Sequence, residues 1–365
     1  MKTKTEKSVE KFNPMVLKNM ILFSLRSKRA FTYQDDFIKY EEEETVYEFI
    51  VDFFIEEVEK IIVTKPLKSY NEITEDLYYV KGKINAKNTV KKIFNKVNCS
   101  FGELTLNNKL NQVIKYIVYL LLKDEIICSN RRIKKRLMNI YFYFEEVKLV
   151  TVTVSDLNKI RFNRDNLNYE SLVLICRYIL GCIKENGITS QKYIDIDSEL
   201  WWVYQEFIRN YYDYYKQRLG IFSVSPSKYK WNLVPLDDSN IDLLPGMRTD
   251  IELNMMNQHI IIDAKCYENS LVEFYGKKVL NSGNLYQLKS YLDIYRVKLS
   301  SSQDNNELRG ILIYPFNPST RLNADNQVFY DETSNYTIEI VTIDFGKQWE
   351  EVCLELDKIL LGVNV

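Results

Sequence analysis

Apolar positions recur along this chain in two rhythms, and the pattern switches between them several times. "ETVYEFIVDFFIEEVEKII" (44–62) repeats with the 3.6-residue period of an amphipathic helix, and "IKYIVYLLL" (114–122) reads as one buried helix. Around them lie extended pieces, "EDLYYVKGKIN" (75–85) and "VKLVTVTVS" (147–155), rich in β-branched and aromatic residues. From residue 166 two helices are expected. "NLNYESLVLICRYILGCIKENG" ends on a Gly, and "DSELWWVYQEFIRNYYDYYKQRLG" has an Asp-Ser start and a second Gly stop. On the latter, Trp201, Trp202, Tyr204 and Phe207 are assigned to the core rather than to a base-stacking platform.

Three strand-like runs follow, "KYKWNLVPL", "GMRTDIEL" and "HIIIDAKCY", then the helix "NLYQLKSYLDIYRVKL" and two further strands, "RGILIYPF" and "YTIEIVTIDF". Strands as uniformly apolar as "HIII" and "GILIY" are covered on both faces, so a mixed sheet flanked by helices is expected. With the change of character near residue 160, this gives an α+β or mixed α/β chain. A mixed helix-strand domain spans 1–160, and a domain built on a mixed central sheet spans 161–365.

Composition narrows the chemistry. The 365 residues carry 49 basic and 50 acidic side chains, so no global field marks a free-standing nucleic-acid binder. The runs "EEEE" (41–44) and "RRIKKR" (131–136) read as solvated faces, with docking on a partner or on DNA phosphates as the functional alternative. Six cysteines form no C-x-x-C pair and have only His259 as a histidine companion, which argues against zinc, iron-sulfur and disulfide frameworks. The single histidine, at the turn before a strand, is read as structural. That disfavours histidine-dependent hydrolases and nucleases. No phosphate-cradling glycine loop occurs. "MKTKTEKSVEKFNP" lacks the apolar core of a signal peptide, and no apolar run reaches the length of a membrane helix, so a cytoplasmic chain without membrane contact is expected.

What remains is carboxylate and lysine chemistry in "LLPGMRTDIELNMMNQHIIIDAKCY" (243–267). Residues two apart on a strand share a face at about 7 Å, so Asp263 and Lys265 project together. A turn at "NMMNQ" folds the preceding strand back and brings Asp250 opposite Asp263. Two carboxylates then converge with an ammonium at their edge. Hard divalent cations take oxygen ligands of this kind, often one or two carboxylates completed by water and substrate phosphate. A bound metal would polarise a scissile phosphate, and Lys265 would orient water or offset charge building on phosphorus. The bland alternative is an Asp-Lys ion pair at a strand end.

The order Asp250, "IIIDAK" with Asp263 and Lys265, then Gln287 and Tyr291 in "NLYQLKSYL", resembles the PD-(D/E)xK nuclease superfamily with its Q-x-x-x-Y helix. Within it, the chain is similar to the McrC family, the nuclease subunits of McrBC and LlaJI-type restriction systems. "NPMVLKNMILFSLRSKRAF", "VKGKINAKNTV", "CSFGELTLNNKLNQVIKYIVYLLL" and "LWWVYQEFIRNYY" each resemble a segment of that family. Cys266 departs from it, standing where a tyrosine is common, and the N-terminal segment lacks the usual aromatic pair.

The resemblance implies Asp250 and Asp263 as metal ligands and Lys265 as the catalytic lysine. It implies Gln287 and Tyr291 as supporting residues and Glu206 as an additional acidic ligand. It further implies Mg2+, with Mn2+ as a substitute, double-stranded DNA as substrate, and a McrB-type AAA+ hexamer that binds the GTP and reads the DNA. Residues 1–160 would dock on that motor, and a chain beginning near residue 161 is expected to keep the site and its fold. The alternatives are a LlaJI-type subunit acting on unmodified DNA, a non-catalytic activator of the motor, and a free RecB-like or Cas4-like exonuclease.

Overall fold

A computed structural model describes residues 13–25, 46–85, 96–186, 201–236, 239–266, 271–302, 306–317 and 327–361. The acidic run 41–44, the Asp-Ser start at 197–198, the Gly187 stop and the side chains of Trp201 and Trp202 lie outside the described residues. The chain forms two compact units, one of residues 47–192 and one that joins 1–46 to 193–365. The division expected at residue 160 is therefore not the one observed.

Helix α1 (Pro14–Ser24) begins at an Asn13 cap whose side chain accepts from the Met15 N–H, with Pro14 in the first turn where its missing N–H costs nothing. It belongs to the second unit. There Phe23 packs against Phe207, Tyr211, Tyr214, Tyr215 and Trp349, and its carbonyl accepts from Asn210 Nδ2 at 2.7 Å.

In the first unit, α2 (Val46–Val63) precedes an antiparallel sheet of β1 (Ser69–Leu77), β2 (Lys83–Ile84) and β3 (Val97–Thr105) in the order β1-β3-β2. Helices α3 (Lys109–Leu122), α4 (Arg131–Tyr143) and α5 (Glu170–Asn186) follow. Tyr169, just before α5, ties this unit together: its hydroxyl donates to Asn111 Oδ1 at 3.0 Å and accepts from the Leu67 N–H at 2.8 Å. The strand expected at 147–155 does not form. Residues 148–153 are irregular, and Thr153 instead caps a short helix, Val154–Asn158, in a reciprocal box with Asp156. A local cap satisfied by two side chains outcompetes β propensity that finds no pairing strand among the described residues. In the basic run, Arg136 turns inward to Asp52 and Glu59 of α2, while Arg131, Arg132, Lys134 and Lys135 are exposed as a solvated face.

The second unit continues with α6 (Trp201–Tyr215), whose C-terminal turn ends at Gly220 with φ +68°, a conformation that favours glycine. Its sheet comprises β4 (Ile221–Ser225), β7 (Ile251–Met255), β8 (Gln258–Ala264), β11 (Glu307–Pro315), β12 (Gln327–Asp331) and β13 (Tyr336–Ile343), ordered β12-β13-β11-β8-β7-β4. The three central strands β8, β11 and β13 run parallel, and the other pairs are antiparallel, which makes the expected mixed sheet. Two-stranded pairs of β5 (Lys228–Tyr229) with β6 (Met247–Arg248), and of β9 (Leu271–Phe274) with β10 (Lys277–Leu280), flank it. Of the run "KYKWNLVPL", only the first two residues form a strand.

Helix α7 (Ser282–Ser302) covers one face, seating Leu288, Tyr291, Leu292 and Tyr295 on Ile261, Leu308 and Leu312. Gly310 of β11 lies beneath it because a Cβ there would come 2.5 Å from Leu292 Cδ1. On the other face lie α6 and α8 (Trp349–Leu361), and Tyr204 and Phe207, both fully buried, belong to the core as expected.

Arg309 crosses from β11 to β13 and α8. It pairs with Glu339 through two contacts of 2.6 and 3.0 Å and donates to the carbonyls of Ile359 and Leu360, both at 3.0 Å. Both side chains are about 95% buried, with exposures of 4% and 5%. Arg309→Met leaves Glu339 charged in the interior and uncaps α8, so it is expected to cost about 3–5 kcal/mol in urea denaturation, with partial recovery when Glu339→Leu is added.

Candidate active site

Asp250 immediately precedes β7, Asp263 is the penultimate residue of β8, and Lys265 follows that strand. The antiparallel ladder pairs Ile251 with Ile262, so the next residues out, Asp250 and Asp263, face one another. The hairpin turn and register expected between these strands are therefore present. Lys265 lies beyond the ladder to β11, held there by its N–H to the Ile313 carbonyl at 2.9 Å.

Asp263 is fully buried, and neither carboxylate oxygen has a directed hydrogen bond. The Lys265 ammonium, 3.0 Å from Oδ2, supplies charge without that direction. Lys265 Nζ donates to Gln287 Oε1 at 3.0 Å, Gln287 Nε2 to the Tyr291 hydroxyl at 2.9 Å, and that hydroxyl to the Arg248 carbonyl at 2.8 Å. The last acceptor has no proton to give, so it orients the whole relay and presents the amide oxygen of Gln287 to the lysine. Gln287 and Tyr291 sit one turn apart on α7, as their spacing requires.

Asp250 Oδ2 accepts from Gln205 Nε2 at 2.9 Å and from the Ala264 N–H at 3.3 Å. Burial, and then the adjacent Asp263 carboxylate, push the Asp250 carboxyl up to about 7, against the pull of Lys265 and the Ala264 N–H. An unfolded Asp releases its proton near pH 3.9, so between about pH 4 and pH 7 the unfolded state binds fewer protons than the native one. Stability from this group therefore falls as pH rises through that window, by on the order of 4 kcal/mol, and is level above it. Asp250→Asn is expected to flatten that slope and raise the melting temperature of the cation-free protein at pH 8. An unchanged slope in thermal denaturation would place its origin elsewhere.

Glu206 pairs with Arg209 of its own helix. The α6 residue that reaches Asp250 is its neighbour Gln205, which was not anticipated. The family resemblance implies the acidic Glu206, but a turn of about 100° per residue separates the two directions, and it is the amide that meets Asp250.

Further along the same strand face, His259 is buried, stacks on Tyr295 at 3.6 Å between ring centroids, and lies 3.0 Å from Glu252 Oε1. Burial pushes the Glu252 carboxyl up, but bonds from His259, Ser227 and Tyr229 outweigh it and hold the group below its ordinary range. The histidine thus has the structural role expected of it.

Residues 2–315 match the family described as "McrBC 5-methylcytosine restriction system component". The chain belongs to the McrBC family. This bears out the family named from its motifs. A curated relative, the type IV methyl-directed restriction enzyme EcoKMcrBC of Escherichia coli K12, is 26% identical over 300 residues, spanning 79% of this chain and 80% of that protein. Among solved structures, a half-complex of Thermococcus gammatolerans McrB AAA+ hexamers with bound McrC aligns at 13% identity over 98% of this chain and 77% of that one, with a TM-score of 0.48. The McrBC complex of the same organism aligns at 15% identity over 54% and 56%, with a TM-score of 0.41.

In this McrBC-family chain the described residues hold no cluster of three or more His, Cys, Asp or Glu side chains, and no helix long and apolar enough to cross a membrane. The two carboxylates nonetheless fit a hard divalent cation. Asp263 offers two buried oxygens with no hydrogen bond to lose, Asp250 stands opposite, and such an ion commonly takes its remaining ligands from water and phosphate.

Proposed function

We propose that the chain is the metal-dependent endonuclease subunit of a McrBC-like restriction system, acting on double-stranded DNA together with a McrB-type AAA+ GTPase and stimulating its GTP hydrolysis. The observation that carries this reading is the buried, unsatisfied Asp263 carboxylate facing Asp250 beside an oriented lysine. One ammonium beside Oδ2 and no directed hydrogen bond leave the buried carboxylate with lone pairs that a divalent cation can take up. The unit around it has the mixed, helix-covered sheet that the PD-(D/E)xK reading requires.

Asp250 and Asp263 would hold Mg2+, with Mn2+ able to replace it. When bound, the ion polarises a phosphate oxygen and lowers the pKa of a coordinated water. Lys265, fixed by Gln287, is placed to orient the attacking water or to offset negative charge as the phosphorus becomes five-coordinate. Gln287 and Tyr291 act through Lys265, positioning it by the relay to Arg248. Glu206 is retained only as a side chain near the site, since its ion pair with Arg209 competes with ligation.

GTP belongs to the partner, since this chain carries no phosphate-cradling loop. Docking of the 47–192 unit and of the N-terminal residues on that motor is part of the same reading, as is action in the cytoplasm. Cleavage of modified-cytosine DNA is favoured over a LlaJI-type unmodified site by the family description, and over a non-catalytic activator by retention of Asp250, Asp263 and Lys265 together.

Purified chain, partner motor, GTP and cytosine-methylated plasmid are expected to yield linear DNA only when Mg2+ or Mn2+ is present. Full stimulation of GTP hydrolysis with intact plasmid in Mg2+ and in Mn2+ would instead identify an activator.

A further inference from the structure

Gln205 is the one polar side chain at the site to which the reading above gives no task. Its Nε2 lies 2.9 Å from Asp250 Oδ2 and 3.2 Å from the Ala264 carbonyl oxygen. The Ala264 carbonyl is an acceptor only, so the amide nitrogen, not its oxygen, must face it, and chemistry settles which way the amide points. The two acceptors come from different sides of the ladder. Asp250 immediately precedes β7 and Ala264 closes β8, just past the last paired residues Ile251 and Ile262. Gln205 thus reaches across the point where the ladder ends, from a third element whose neighbouring residues Tyr204, Phe207 and Ile208 are fully buried.

The type of side chain matters as much as its place. The Asp263 carboxylate disfavours the charged form of Asp250, and beside the long 3.3 Å bond from the Ala264 N–H the 2.9 Å bond from Gln205 is the side-chain restraint on that carboxyl. A lysine or arginine at 205 would hold it but would also neutralise the pair and compete with a cation. A neutral two-donor amide fixes both oxygens without taking the charge. Glu206, about 100° round the helix, pairs with Arg209 and leaves the amide in its place.

We propose that Gln205 is a positioning residue that keeps the Asp250 carboxylate and the Ala264 carbonyl turned toward each other beside Asp263, so that the cation site is formed before the cation arrives. The inference rests on the cation-binding reading of Asp250 and Asp263, and its test separates the two.

Full-length protein, without DNA or partner, is titrated with MnCl2 by calorimetry and melted with and without Mn2+, as wild type, Gln205→Leu, Gln205→Glu and Asp250→Asn. Gln205→Leu is expected to weaken Mn2+ binding about tenfold or more and to shrink the Mn2+-induced rise in melting temperature. Gln205→Glu adds a third carboxylate. It is expected to melt lower than wild type without cation and to gain more from Mn2+. Wild-type Mn2+ affinity in Gln205→Leu, whether or not its cation-free melting temperature drops, overturns the proposal, as does a Mn2+ increment in Gln205→Glu no larger than wild type. Wild-type binding by Asp250→Asn overturns the cation reading itself. Loss of binding in Asp250→Asn with none in Gln205→Leu overturns the role of Gln205 alone.

Discussion

On the proposed nuclease reading, replacing Asp263 with Asn is expected to lower DNA cleavage by about three orders of magnitude or more, equivalent to roughly 4 kcal/mol of transition-state stabilisation, while assembly with the proposed AAA+ partner and its GTP hydrolysis stay near wild type. The amide keeps the volume of the carboxylate, so the β8 backbone and its neighbours Ile262 and Ala264 have no reason to move. What disappears is the buried charge that faces Asp250 and pairs with Lys265 at 3.0 Å. Without it the lysine loses one of its two anchors and a divalent cation loses its most enclosed ligand. The same substitution leaves the Lys265 ammonium with Gln287 as its remaining anchor, so the variant should melt lower than wild type in the absence of metal. Cleavage within a few-fold of wild type at saturating Mg2+ would remove Asp263 from the reacting centre.

The second large effect reverses an expectation. A chain starting near residue 161 is expected to fail to fold, because it lacks α1. That helix buries Val16, Leu17, Met20, Ile21, Leu22 and Phe23 in the unit that carries Asp250 and Asp263, and Asn13 donates its N–H to the Phe345 carbonyl at 2.8 Å. At roughly 1.5–3 kcal/mol per buried aliphatic or aromatic side chain, six such residues contribute on the order of 10 kcal/mol, comparable with the entire stability of a domain. Phe23→Ala alone should cost about 3–5 kcal/mol. Residues 161–365 should therefore show no cooperative thermal transition, and a synthetic peptide spanning 13–25 should restore one. A wild-type melting curve from the truncated chain would show that α1 is dispensable.

The strands of the sheet were readable because "HIIID" and "RGILIYPF" are apolar on both faces, a pattern that a buried parallel strand requires. The facing of Asp250 and Asp263 was readable too, since a short polar turn between two strands fixes their register. The membership of α1 was not. Its partners Phe207, Tyr211 and Trp349 lie about 190 to 330 residues further along, and nothing in "NPMVLKNMILFSL" names them. The segment 147–155 alternates like a strand but pairs with no strand among the described residues, so the Thr153 cap decided its structure. The role of Gln205 was not legible in the sequence for a different reason. Which of two adjacent helical residues meets the sheet depends on how the helix is rolled, and the packing of Tyr204 and Phe207 settles that.

The first unit interrupts the second in sequence, entering after α1 and leaving before α6. During translation at about 5–20 residues per second, α1 would emerge roughly 20–70 s before α8 is synthesised. The 47–192 unit has all its strands and helices in one continuous stretch and is free to fold in that interval. The unit carrying the paired carboxylates cannot close until Trp349 has left the ribosome and met Phe23. Nascent and prematurely terminated chains should therefore display the first unit without the second.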